Sequence, residues 1–219
     1  MTTVKRAVLY DVDGTLVDTN YHHALCWFRA MRSRGITVPI WHLHRAIGMG
    51  GDRLVAHVAG DSAEKEHGDE LRRRWKVEYD QLIDEVVAIE GATELLAATR
   101  DRDLVVGLAS SGDPAHVEHY LELLRAKEFA QTWSTSGDVE SSKPAPDLVR
   151  HAMDELAVDE AVLVGDSVWD CRAAVRAGVP CIAVRTGGFS AAELTEAGAE
   201  AVYDSLPELA EALPTLPFG

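Results

Sequence analysis

LYDVDGTLVD, Leu9 to Asp18, is the stretch on which the reading of this chain turns. Apolar Val8, Leu9 and Val12 surround two aspartates, and Gly14 and Thr15 follow at once. Such a run enters a buried strand, yet Asp11 and Asp13 stand at its end. They alternate with Val12, so an extended backbone points both to one side of the strand tip. Two carboxylates that close repel each other unless a cation lies between them.

Working outward, apolar β-branched runs recur as KRAVLYDVD, DLVVGLASS, EAVLVGDS, VPCIAVRTG and a weaker EAVYDS. Stretches of helical spacing separate the later ones, which predicts an α/β parallel sheet with helices on both faces. Asp113 and Pro114 predict an N-cap and first turn for a helix through about Ala126. Ser190 with Glu193 reads as a capping box that Gly198 closes. Residues 18–87 carry helical patterns and no convincing strand. Asp18 or Thr19 caps a helix in which Ala24, Trp27, Phe28 and Met31 share a face and Gly35 ends it, and GDSAEKEHGDELRRRWKVEYDQLIDEV reads as one or two charged-faced helices. The expected organisation is a core of residues 1–17 and 88–219 with a helical insertion, 18–87, after the first strand. The tail LPTLPFG is expected to be loose.

Composition narrows the function classes. The chain has 219 residues, 47% of them hydrophobic, enough for a large core. Its 36 acidic and 21 basic side chains give a net charge of -15, which repels nucleic acid and anionic membranes and leaves an anionic substrate in need of local cations or a metal. Cys26, Cys171 and Cys181 have no CxxC spacing and an odd count, so reduced buried thiols are expected. The opening MTTVKRAVLYDVDG is broken by aspartates and reads as neither signal peptide nor membrane span, so a reducing cytoplasm is the expected compartment. A monomer or homodimer is expected.

Ligands of open parallel sheets bind beyond the carboxyl ends of the strands, so the polar residues after each apolar run matter most. They are Asp11 and Asp13 after AVLY, Ser110 and Ser111 after VVGLA, and Asp166 with Asp170 after VLVG, joined by Lys143 from SSKPAPD. The acidic set is an all-oxygen cluster suited to Mg²⁺ rather than zinc or copper. Ser110 and Ser111 precede a helix N-terminus, where free N–H groups favour phosphate, and Lys143 supplies a mobile charge for the same group. A carboxylate nucleophile, a second carboxylate for the proton, a metal, an anion nest and a cation together match phosphoryl transfer through an aspartyl-phosphate.

These residues resemble the four motifs of the haloacid dehalogenase-like hydrolase superfamily: DVDGT at Asp11 to Thr15, Ser110 in LASSG, Lys143 in SSKPAPD, and GDSVWD at Gly165 to Asp170. IGMGGDRLV and VRTGGFSAAELTEAGAEAVYDSLPEL are similar to its phosphoglycolate phosphatase and β-phosphoglucomutase subgroup. The resemblance implies a Rossmann-like core with an inserted helical cap. It implies that Asp11 attacks phosphorus and that Asp13 protonates the leaving group and then activates water. Mg²⁺ is implied on Asp11, Asp166 and the backbone carbonyl of Asp13, with Asp170 supporting the metal or Lys143. Ser110 and Lys143 are implied to hold the phosphoryl oxygens, with Ser111 as a further candidate or a helix cap. The expected activity is a Mg²⁺-dependent phosphatase acting on a small phosphorylated metabolite.

The resemblance also leaves rivals: a phosphomutase sharing the intermediate, a phosphonate hydrolase needing a cap lysine near the glycine-rich loop, from which Lys65 and Lys76 are expected to lie away, and a non-catalytic binding protein of the same fold. Asp13 favours phosphate esters over carbon–halogen bonds. In the insertion, His23 resembles a histidine that some mutases present to substrate, and reads equally as a plain helix-face histidine. Arg53, in GMGGDR, is a candidate for a substrate's distal anion. The run LRRRWK, Leu71 to Lys76, reads as a solvated helix face, and His42 and His44 as structural or exposed. Trp169 departs from the smaller residue expected in its motif and suggests packing against the next helix.

Overall fold

The computed structural model describes residues 4–218. The first residues of the N-terminal run and the last of the tail lie outside the described residues. Six parallel strands form one sheet: β1 (Arg6–Tyr10), β2 (Val105–Ala109), β3 (Thr132–Ser134), β4 (Glu160–Gly165), β5 (Cys181–Val184) and β6 (Ala201–Tyr203), in the order β3-β2-β1-β4-β5-β6. The fold is the expected Rossmann-like α/β arrangement. The additional strand, β3, is only three residues long and lies at an edge, too short to show a period.

Alternation along the strands builds two cores. Val8 and Tyr10 of β1, Val106 and Leu108 of β2, and Val162 and Val164 of β4 face one side with α5 (Ala92–Arg100), α6 (Pro114–Leu123) and α10 (Leu206–Ala212). Ala7, Leu9, Ala161 and Leu163 face the other, under α7 (Asp147–Leu156), α8 (Val168–Ala177) and α9 (Ala191–Glu196). Each fully buried aliphatic side chain of this kind contributes roughly 1.5–3 kcal/mol. Asp113 caps α6 by accepting from the Ala115 N–H at 3.0 Å, and the Ser190–Glu193 capping box forms. The helix after Asp113 stops at Leu123, short of Ala126. The tail is not loose over its described part: Leu213 is buried, and Leu216 and Phe218 pack on the first core, because that sheet face needs an apolar cover.

Between β1 and α5 lie four helices, α1 (Asn20–Arg32), α2 (Ile40–His44), α3 (Gly51–Ala59) and α4 (Asp61–Tyr79). They enclose their own apolar cluster, with Trp27, Met31, Leu43, Leu54 and Leu71 buried in it. The chain enters and leaves this segment side by side: the Asp18 N–H donates to the Val87 carbonyl and the Ile89 N–H to the Leu16 carbonyl, both at 2.9 Å. Thr19 occupies the N-cap position of α1 without capping it. Its hydroxyl has another partner, Asp13.

Candidate active site

Asp11 is the first residue beyond β1, and its N–H still donates to the Val164 carbonyl at 2.8 Å. The central strand thus holds its carboxylate rigidly at the sheet's carboxyl edge. Lys143, fully buried, forms ion pairs with Asp11 and, at 2.7 Å, with Asp170 Oδ1. Thr15 Oγ1 lies 3.1 Å from both Asp11 Oδ2 and Asp166 Oδ1, and its one hydrogen serves either. Asn20 Nδ2 donates to Asp166 Oδ2 at 2.8 Å. Asp170 opens α8 in a capping box with Ser167, whose Oγ is 2.5 Å from Asp170 Oδ2. It therefore serves as helix-end charge and lysine partner at once.

Asp13 faces a different set. Its Oδ1 accepts from Thr19 Oγ1 at 3.0 Å and lies 2.9 Å from His23 Nε2, and its Oδ2 accepts from Ser110 Oγ at 2.9 Å. His23 is buried and stacks on Tyr79 with ring centroids 4.2 Å apart, so it is more than a helix-face histidine. Ser110 is turned to Asp13 and also accepts from the Gly112 N–H. Ser111 lines the cavity, and its hydroxyl is buried without a hydrogen-bond partner.

That cavity, about 450 Å³, opens over Asp11 and Asp13 between the sheet edge and the four helices. Arg53 is not among its lining residues and instead sits 3.7 Å from Asp52. Arg72, Arg73, Trp75 and Lys76 of α4 do line it. The LRRRWK run is thus in part a cavity wall, with Arg72, Trp75 and Lys76 half-buried, while Arg73 and Arg74 keep the exposure of a solvated face; Gly48 and Gly51 of the glycine-rich loop line the same cavity as Lys76. Trp169 is buried but packs toward the helical segment, not the next helix: its Nε1 donates to the Arg45 carbonyl at 3.1 Å and its ring meets His57 edge-on. Asp52 bridges the same two layers, reaching the Ser142 hydroxyl and, at 3.3 Å, its N–H. The sequence reading takes Thr15 only as part of DVDGT and Thr19 only as a helix cap, and passes over Asn20. Asn20 has no local signal because its partners, Asp166 and Gly187, lie across the fold, whereas Thr15 and Thr19 reach Asp11 and Asp13 close by in sequence.

Burial pushes the Asp11 carboxyl up to about 7 against the pull of Lys143, with Asp170 and Asp13 adding to the rise. Burial and the charges of Asp170 and Asp11 also raise Asp166. For Asp13 burial acts upward too, but hydrogen bonds from His23, Ser110 and Thr19 hold it below the ordinary carboxylate value. One carboxylate oxygen from each of Asp11, Asp166 and Asp170 lies within 4.8 Å of the others. A Cβ on Gly187 would fall 1.5 Å from Asp166 Oδ2, so that glycine keeps the space beside the cluster open. Buried, like-charged, hard oxygen donors fit a divalent cation such as Mg²⁺. The Asp13 side chain is outside this group, which leaves its backbone carbonyl as the donor expected from it.

A family model described as Haloacid dehalogenase-like hydrolase matches residues 8–184. The chain belongs to this family. It is 30% identical over 216 residues to the plasmid phosphoglycolate phosphatase of Cupriavidus necator, covering 96% of this chain and 92% of that one. It is 29% identical over 186 residues to the N-acetylmuramic acid 6-phosphate phosphatase of Pseudomonas putida, covering 83% of each. A crystal structure of a hydrolase from Pseudomonas syringae matches with a TM-score of 0.90 at 28% identity, over 97% of this chain and 99% of that one.

Proposed function

We propose that this haloacid dehalogenase-like hydrolase is a Mg²⁺-dependent phosphatase of a small phosphorylated metabolite, with residues 18–87 as a cap over a core of residues 1–17 and 88–219. The observation that carries this reading is the meeting of Asp11, Lys143, Asp166 and Asp170 at one buried point with Asp13 beside them. The phosphatase names of its relatives support it.

In this reading Asp11 attacks phosphorus and the ester P–O bond breaks, its electron pair leaving with the substrate oxygen. Asp13 gives that oxygen a proton. Water then attacks the phosphorus of the aspartyl-phosphate while Asp13 takes its proton, and the bond to Asp11 breaks to release phosphate. Asp13 is ionised in the free protein, and a phosphoryl dianion beside it raises its proton affinity in the complex. When bound, Mg²⁺ on Asp11, Asp166 and the Asp13 carbonyl, with Asp170 supporting, offsets the charge of the phosphoryl oxygens. Lys143 orients Asp11 and neutralises the same oxygens, and Ser111 has a partnerless hydroxyl beside the cavity that a rotation of its side chain would offer to them. Ser110 acts mainly by holding Asp13. The free buried thiols suit a reducing cytoplasm.

Replacing Asp11→Asn tests the reading. Hydrolysis of phosphoglycolate, sugar phosphates and para-nitrophenyl phosphate in Mg²⁺ should vanish while the thermal transition is retained. Near native turnover in that variant would exclude Asp11 as nucleophile.

A further inference from the structure

We infer that the cavity is built for a monophosphate whose leaving group is a ring-sized, polyhydroxylated acid: a sugar carrying a carboxylate as well as the phosphate. This rests on the phosphatase reading for which end of the cavity takes the phosphate. The first observation is size. At about 450 Å³ the space falls in the range of sites for sugar- or drug-sized ligands, about 300–1,000 Å³, and a two-carbon acid would leave most of it unfilled.

The walls supply the second. Trp75, half-buried on the cavity wall and backed at 5.6 Å by the buried Trp27, offers an aromatic surface against which the C–H groups of a sugar ring pack. On α4, positions 73 and 76 are three apart and share the cavity side, one helical turn of cationic surface.

The third is which charges are free. Arg72 is tied to Glu64 and Asp69, and Lys76 lies between Asp80 and Asp113. Arg74 pairs with Glu78. Arg73, exposed at the cavity, makes no ion pair or hydrogen bond among the described residues, and a guanidinium is the group best shaped to take a carboxylate through two parallel hydrogen bonds. Two of the acidic lining residues have cations of their own: Asp52 lies 3.7 Å from Arg53, and Asp113 lies 3.6 Å from Lys76. Glu140, exposed on the core side of the same cavity, has no hydrogen-bond partner among the described residues and accepts from sugar hydroxyls. One unpaired guanidinium, one free acceptor and the aromatic surface of Trp75 together describe a hydroxylated ring acid.

Binding tests this directly. Calorimetry uses the Asp11→Asn variant in Mg²⁺ with two matched pairs: N-acetylmuramic acid 6-phosphate against N-acetylglucosamine 6-phosphate, and glucuronic acid 1-phosphate against glucose 1-phosphate. In each pair the acid brings an additional carboxylate. At least one acid should bind tenfold or more tighter than its neutral partner. Adding Arg73→Gln should bring that ratio within twofold, and Arg73→Lys should retain threefold or more. Acids that bind no tighter in either pair, or a preference that survives Arg73→Gln, would overturn the inference, as would tighter binding of glucosamine 6-phosphate than of either acid. Turnover by the native enzyme reads the phosphatase function separately. Hydrolysis without acid preference sinks the inference alone, whereas acid-selective binding with no hydrolysis of any monoester sinks the phosphatase reading alone.

Discussion

Asp13 gathers three partners from two places, Thr19 and His23 from the start of the helical segment and Ser110 from just beyond β2. A carboxylate so fixed has little rotational freedom, and its proton transfers are aimed along one direction. Two of those partners reside on the segment proposed to form the cap, so the geometry at Asp13 depends on where that segment sits. General acid–base groups contribute about 10²- to 10⁴-fold. Asp13→Asn should therefore lower kcat by that order for sugar or alkyl phosphates, whose leaving oxygens need a proton. Para-nitrophenyl phosphate, with a stable leaving group, should lose less in the first step and accumulate phosphoenzyme, detectable as a burst of nitrophenol. Equal losses for both ester classes, with no burst, would remove Asp13 from the acid role.

Among the elements, α8 shows how a helix end serves the site. Ser167 and Asp170 close a capping box at its N-terminus while Asp170 Oδ1 reaches Lys143 at 2.7 Å. Losing a cap of this type costs about 1–2 kcal/mol. Ser167→Ala should lower the urea midpoint accordingly and reduce kcat by roughly tenfold, since Asp170 then loses the hydroxyl that orients it toward Lys143. An unchanged midpoint together with unchanged kcat would show the box to be idle. The capping signals of α6 and α9 are local, and so are the alternating strands. For that reason the sheet, the order of its main elements and the cluster of acids with Lys143 were legible in the sequence. Other features were not, for physical reasons. A three-residue edge strand has no period to read. An arginine run looks the same whether a helix turns it to bulk water or along the side of a cavity, so the lining positions of Arg72 and Arg73 leave no mark in the sequence. Arg53 drew attention through its glycine-rich loop, but α3 carries it off the cavity.

At the scale of the whole molecule, the acidic cluster sets stability against function. Asp11 holds its proton in the folded protein up to about pH 7, whereas an ordinary aspartate releases it near 3.8. Between those values the folded state binds more protons than the unfolded one, so this group's contribution to stability falls as pH rises and is lost above about 7. The slope is at most about 1.4 kcal/mol per pH unit. Asp166, also raised, acts in the same direction. His44, His57 and His116 oppose it: burial holds each below its ordinary value of 6.5, so their contribution is lost as pH falls beneath that point. A Mg²⁺-induced difference in melting temperature cancels the histidines and reports the cluster alone. Mg²⁺ competes with protons for Asp11 and Asp166, so its stabilisation should grow with pH. At a hundredfold excess over Kd a ligand adds about 2.7 kcal/mol, which at ~2–4 °C per kcal/mol for a chain of this size is a rise of roughly 5–10 °C. Differential scanning fluorimetry should give about that shift at pH 7.5 and a clearly smaller one at pH 5.5, and Asp166→Asn should abolish the difference between them. A Mg²⁺ shift that is absent, or larger at pH 5.5, would exclude these carboxylates as the metal site.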